Sequence, residues 1–189
     1  MMDKVTKAII FAANAHDGMC RKKDETPYVL HPLEAAAIVG TMTSDQDVIS
    51  AAVLHDIVED THISIDELEA EFGERVRALV ETETEEKRHD LPPAETWKLR
   101  KEESLNVLRS AEDTAVLMLW LGDKLANMRS FYRIHQREGD AMWQSFNQCD
   151  PQQQEWYYRT IAELTSPLKE HHAWKEYNEL VKLVFGKEN

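Results

Sequence analysis

Cysteine is nearly absent. Only Cys20 and Cys149 occur, and they form no CxxC pattern. That leaves neither a disulfide framework nor a zinc–thiolate signature, and a cytoplasmic setting is the expectation. Glycine and proline are also scarce, six of each in 189 residues. This favours long helices over a turn-rich β fold. No run approaches the roughly 20 apolar residues of a membrane span, and MMDKVTKAII reads as an amphipathic start rather than a secretory signal. Cations are the minority charge, 22 Lys and Arg against 35 Asp and Glu, for a net charge of -13. Such a balance argues against nonspecific nucleic-acid binding, which needs a positive surface. It does not exclude a small anionic substrate, because a bound metal and a few local basic groups reverse the field inside one pocket. Apolar residues are present in ordinary amount, 42%. A chain of this length buries a real core without staples, and one domain over 1–189 is expected.

The most informative stretch is AAVLHDIVEDT, residues 51–61. Read as one helix, it sets His55 four residues before Glu59 and Asp56 four before Asp60. Positions four apart lie one above the other, so all four polar groups share one side. Ala52, Val53, Leu54, Ile57 and Val58 cover the remaining directions, so the helix is expected to be largely buried. An isolated His-Asp pair is commonly a helix end with carboxylates in water. Four ionisable groups on one side of an apolar helix point instead to a site, because buried charge is costly unless paired or bound to metal.

Upstream, the spacing predicts a helix over 3–16, with Val5, Ala8, Ile9, Ala12 and Ala13 on one stripe and a stop at Gly18. A basic cluster, Arg21, Lys22 and Lys23, precedes a short extended piece, Tyr28 to Leu30. His31 stands before Pro32, a residue suited to a first helical turn, and a helix over 33–41 is expected. Downstream, Ser64 with Glu67 forms a capping box for a helix over 65–72, ended by Gly73. Residues 81–96 are polar with a Pro-Pro break, a candidate lid. After a charged helix over 95–109, the apolar run 115–121 implies a central helix. Asp123 ends that run, with Asn127 one turn later. A carboxylate there must be paired, by Lys124 or Arg129, or capped, or metal-bound. The last third, 139–186, is helical in pattern. Its aromatic residues, Phe146 among them, read as core packing, and His171-His172 as surface.

These motifs carry a resemblance. HP at 31–32, HDxxED at 55–60 and GDKxxNMR at 122–129 occur in that order. With them come AxxAHxG before the basic cluster, TPYVLHPLEAA and EFGERVRALVETET. The combination resembles the HD-domain hydrolases, in the alarmone-hydrolase branch of the RelA/SpoT proteins, well over residues 5–133 and loosely beyond. The resemblance implies an all-α HD-domain bundle of roughly eight to ten helices, with room for one short β-hairpin near 22–30. It implies a stand-alone hydrolase domain, with no length left for the family's synthetase domain or regulatory tail. It implies one Mn²⁺ held by His31, His55, Asp56 and Asp123. Mixed imidazole and carboxylate donors suit Mn²⁺, Fe²⁺ or Zn²⁺ alike. Four protein ligands leave positions open, as catalytic sites require.

The implied reaction removes pyrophosphate from the 3′ position of guanosine tetra- or pentaphosphate, (p)ppGpp, giving GDP or GTP. Glu59 and Asp60 would be the catalytic carboxylates. Arg21 and Lys22 would meet the nucleotide, and Asn127 and Ser130 the nucleoside. The partner is thus a small guanine nucleotide, with neither nucleic acid nor membrane. Three positions depart from the family's usual KLADRLHNMR: Trp120 for Lys, Gly122 for Ala, and Ala126 for His or an aromatic. Trp120 and Ala126 are expected to reshape the pocket. That keeps open a phosphatase acting on the NADPH 2′-phosphate or on a nucleoside monophosphate. A non-catalytic alarmone-binding module is the remaining alternative. Retention of all six metal and catalytic residues argues against it.

Overall fold

The computed structural model describes residues 2–21, 25–88 and 90–186. Among them are ten α-helices: α1 (Lys4–Ala15), α2 (Leu30–Val39), α3 (Gln46–Leu54), α4 (Ile57–Asp60), α5 (Ile65–Phe72), α6 (Glu74–Glu81), α7 (Pro93–Arg109), α8 (Thr114–Glu138), α9 (Pro151–Leu164) and α10 (His172–Phe185). Short 3₁₀ helices cover Gly139–Ser145 and Ser166–Leu168. The all-α expectation holds. Where a hairpin was expected, the described residues form one antiparallel bridge, Cys20 to Pro27. The Arg21 N–H donates to the Thr26 carbonyl, and the Tyr28 N–H to that of Met19, each at 2.9 Å. Lys22, expected near the nucleotide, lies outside the described residues. No described helix is long and apolar enough to cross a membrane.

Helix α8 is the axis of the molecule. Its apolar run buries Leu119, Trp120, Leu121, Leu125 and Met128 almost completely, and α2, α3, α6, α9 and α10 all pack on it. Helix α2 approaches closely at Gly122. A Cβ there would stand 2.5 Å from Val39 Cγ2 and 3.0 Å from the Ala35 carbonyl oxygen. A glycine therefore permits the contact that brings the first turn of α2 alongside Asp123. On the far side the aromatic residues pack as expected. Phe131 meets Trp143 at 5.8 Å and Tyr158 at 5.2 Å between ring centres.

Three boundaries differ from expectation. Helix α2 starts at Leu30, so His31 sits inside its first turn rather than ahead of it. Helix α7 starts at Pro93, which shortens the polar connection before it. The 51–61 stretch is two helices, α3 and α4, joined at His55-Asp56. The cause is local. The His55 Nδ1 takes the Ala52 carbonyl at 2.9 Å, the acceptor that an unbroken helix would offer to the Asp56 N–H. Both joint residues keep right-handed helical dihedrals, so the direction of the chain survives the break.

The Ser64 capping box is complete. Its hydroxyl accepts from the Glu67 N–H at 3.2 Å, and the Glu67 carboxylate accepts from the Ser64 N–H at 2.8 Å. Ser64→Ala is expected to cost about 1 kcal/mol of stability. A urea melt with a lower midpoint and an unchanged slope would register it.

Candidate active site

Three separate segments deliver the central cluster. The first turn of α2 supplies His31, the α3–α4 joint supplies His55 and Asp56, and the middle of α8 supplies Asp123. His31, His55 and Asp123 are each less than 5% exposed. Each offers a ligand atom, and these lie within 4.8 Å of one another, a group able to hold a metal ion. His31 Nε2 is 3.0 Å from Asp123 Oδ1, and His55 Nε2 is 3.4 Å from the same oxygen. Asp56 Oδ2 stands 3.5 and 3.2 Å from the two Nε2 atoms. It also accepts the Tyr28 hydroxyl at 2.7 Å.

The donor set fits a divalent cation. With His55 Nδ1–H given to Ala52, Nε2 is the ring nitrogen left to face a metal ion, which would take the place of its proton. That Nε2 is buried, makes no hydrogen bond and faces two carboxylates. Burial works against a charged His55, yet Asp56 and Asp123 outweigh it and hold its pKa well above the ordinary value. Burial likewise pushes Asp123 up, and Lys124 and His55 outweigh it and hold that carboxyl well below its usual range. Such a cluster draws positive charge to itself, and a metal ion is the strongest source of it.

Asp123 is held from both sides. Oδ1 faces the imidazoles and accepts from Asn127 Nδ2 at 2.8 Å. Oδ2 accepts from the Lys124 ammonium, which also donates to Glu83 at 2.9 Å. Burial pushes the Glu83 carboxyl up to about 7 even with Lys124 beside it. Asn127 in turn accepts from Arg21 Nη2 at 3.1 Å. The expected nucleoside contact is therefore already tied into a chain running from Arg21 to Asp123.

Glu59 and Asp60 lie on α4, the next turn after the joint. Both face Lys87, whose Nζ is 3.3 Å from Glu59 Oε1 and 2.6 Å from Asp60 Oδ1. Burial, with the Asp56 charge next, raises the Glu59 pKa, and Lys87 offsets part of that. The two carboxylates open onto a cleft of about 600 Å³, lined also by Arg21, Tyr28, Lys87 and Arg100. Its other wall is Ser130, Phe131 and Ile134 of α8 with Phe146 and Asn147. Phe131 and Phe146 pack there at 4.8 Å.

Of the residues singled out from sequence, His31, His55, Asp56 and Asp123 converge. Glu59, Asp60, Arg21 and Ser130 line the adjoining cleft. Trp120, Gly122 and Ala126 are buried, and none is among the cleft's lining residues. The expectation that Trp120 and Ala126 reshape the pocket therefore finds no direct contact to act through. Lys87, Phe146 and Asn147 were missed. Lys87 sits in the polar 81–96 stretch, where the Lys87-Arg88 pair after a run of acidic residues was the available signal. Phe146, expected in the core, lines the cleft instead.

The model of the HD domain family, described as "HD domain", matches residues 8–148. The chain belongs to the HD domain family. This HD domain is 39% identical over 133 residues to the guanosine-3′,5′-bis(diphosphate) 3′-pyrophosphohydrolase MESH1 of Xenopus tropicalis, covering 68% of this chain and 70% of that protein. It is 33% identical over 131 residues to a GTP pyrophosphokinase of Myxococcus xanthus. That match covers 68% of this chain but 17% of the larger protein, so the HD domain spans under a fifth of such relatives. Among solved structures, that of a metazoan ortholog of SpoT that hydrolyses ppGpp superposes with a TM-score of 0.74 at 25% identity over 96% of both chains. The protein lmo0812 of Listeria monocytogenes EGD-e superposes with a TM-score of 0.72 at 28% identity, over 89% of this chain and 99% of the other.

Proposed function

We propose that this chain is a (p)ppGpp 3′-pyrophosphohydrolase working with Mn²⁺ held by His31, His55, Asp56 and Asp123. The observation that carries the reading is the joint one. A buried imidazole–carboxylate donor set adjoins two part-buried carboxylates, and both border a cleft with a basic and an aromatic wall. The name of the relative at 39% identity supports the substrate class, and that of the relative at 33% identity supports a guanine nucleotide.

When bound, the ion would lower the pKa of water and offset phosphate charge. The rest is done by the chain. Water adds across the bond between the 3′ oxygen and its phosphorus. Glu59 takes the proton the water loses, and the departing 3′ oxygen takes one up. Asp60 orients the water, and Lys87 and Arg21 meet the phosphates. The nucleoside lies along Ser130, Phe131 and Phe146.

The test is direct. Metal-stripped protein is given Mn²⁺ and ppGpp, and GDP and pyrophosphate are followed by anion-exchange chromatography. Equal amounts of both, only with metal, are expected. Release of single phosphates, or no product from metal-loaded protein, would overturn the reading.

Two variants probe the division of labour. Lys87→Met removes the cation that offsets burial at Glu59. The Glu59 pKa then rises further, so the acid limb of kcat/KM moves to higher pH. An unmoved limb removes Glu59 as the base. Phe146→Ala is expected to raise KM for ppGpp by about tenfold, within the range for loss of one base–aromatic stack, with kcat little changed. Steady-state kinetics on ppGpp would check this.

A further inference from the structure

Glu83 and Lys124 are buried, 8% and 9% exposed, and the reaction as proposed uses neither. A buried ion pair is seldom more stabilising than apolar side chains of the same size. Its place in this fold is therefore informative. Lys124 Nζ meets Asp123 Oδ2, Glu83 Oε2 at 2.9 Å, and the Trp120 ring at 4.8 Å. Glu83 follows α6, which packs on α8 at this level, and its second oxygen is buried without a hydrogen-bond partner. Above the Glu83 pKa of about 7 the pair adds no net charge beside the centre. What it adds is one directed N–H on one oxygen of a metal ligand.

We propose that Lys124, backed by Glu83, is a positioning residue that occupies Asp123 Oδ2 and so presents Oδ1 alone to the metal. The proposal deepens the metal reading given above and rests on it. Asp123 Oδ1 is the oxygen that faces both imidazoles. A carboxylate with both oxygens free can turn and bind through either or both. Outer hydrogen bonds of this kind orient ligands, and their loss commonly weakens metal binding by about 10- to 100-fold. Glu83 is needed because a lone ammonium here would repel the cation that the site is built to hold.

The decisive variant is Glu83→Met with Lys124→Met. Measured above the Glu83 pKa of about 7, it removes one charge of each sign, so the field at the centre is nearly preserved. Apolar replacement of a buried pair commonly leaves a fold as stable or more so. The readouts are the melting temperature of metal-free protein, Mn²⁺ affinity by calorimetry, and the ligand-field spectrum with Co²⁺. The expected result is a melting temperature unchanged or raised, with Mn²⁺ bound about tenfold more weakly and the Co²⁺ bands altered as Oδ2 becomes available. An affinity and a Co²⁺ spectrum that match wild type overturn the proposal. Should the double variant fail to melt cooperatively, Lys124→Met alone is read by its Co²⁺ spectrum, and bands identical to wild type overturn it. Wild-type protein that binds neither ion overturns the metal reading itself, and this proposal with it.

Discussion

Replacing Glu59 by Gln together with Asp60 by Asn is expected to lower kcat for ppGpp by about 10³-fold, within the range for positioned acid–base groups, while Mn²⁺ stays bound. The amides keep the shape of both side chains, and each keeps an oxygen for Lys87. What they lose is the ability to take a proton. Neither residue belongs to the converging donor set, so calorimetry should give wild-type metal affinity. The two positions are not equivalent. Lys87 is closer to Asp60, at 2.6 Å, than to the Glu59 side chain, at 3.3 Å. Burial raises the Glu59 pKa. Glu59 is therefore the better proton acceptor and Asp60 the better anchor, and Glu59→Gln alone should account for most of the loss in kcat. Turnover of the double variant within tenfold of wild type would remove both residues from the chemistry, as would a loss that metal titration traces to an empty centre.

The convergence of His31, His55, Asp56 and Asp123 was legible because charge inside an apolar run stands out. Asp123 ends the run 115–121, and His55-Asp56 interrupts another. Burial gives such residues few fates, and one cation satisfies several of them at once. Helix periods were legible for the same reason, as were the two-way Ser64–Glu67 cap and the Gly73 stop, which depend on neighbours in the chain. Contacts made by tertiary approach were not. Lys87 meets Glu59 and Asp60 only because the segment after α6 passes over α4. Glu83 sits in the polar string ETETEEK, yet the end of α6 lies against α8 and buries it. Phe146 belongs to an aromatic stripe whose other members are core, and spacing cannot single out the one ring that lines a cleft. The break between α3 and α4 turned on one imidazole competing for one carbonyl. Trp120, which looked like an altered pocket, is 1% exposed and packs in the core.

A second of the three departures from the family's usual wording, Gly122, carries the second large effect. Gly122→Ala is expected to destabilise the protein and weaken metal binding together. The added Cβ would stand 2.5 Å from Val39 Cγ2 and 3.0 Å from the Ala35 carbonyl oxygen, and Val39 has no flexible end to swing aside. Helices α2 and α8 must then move apart. Overpacking of this kind costs about 1–3 kcal/mol, and the better helix propensity of Ala returns up to about 1 kcal/mol of it. The larger consequence is at the centre. His31 rides on α2 and Asp123 on α8, one residue from the obstruction, and their ligand atoms are 3.0 Å apart. A shift of a few tenths of an ångström between those helices misaligns the donor set. Val39→Ala added to the same chain removes the nearer obstruction, so the pair should couple favourably, by about 1 kcal/mol or more. Urea melts and Mn²⁺ calorimetry on wild type, both single variants and the double variant would measure this. Additive free energies across the cycle, or a Gly122→Ala protein with wild-type stability and metal affinity, would mean that the close approach of α2 to α8 does not set the geometry of the site.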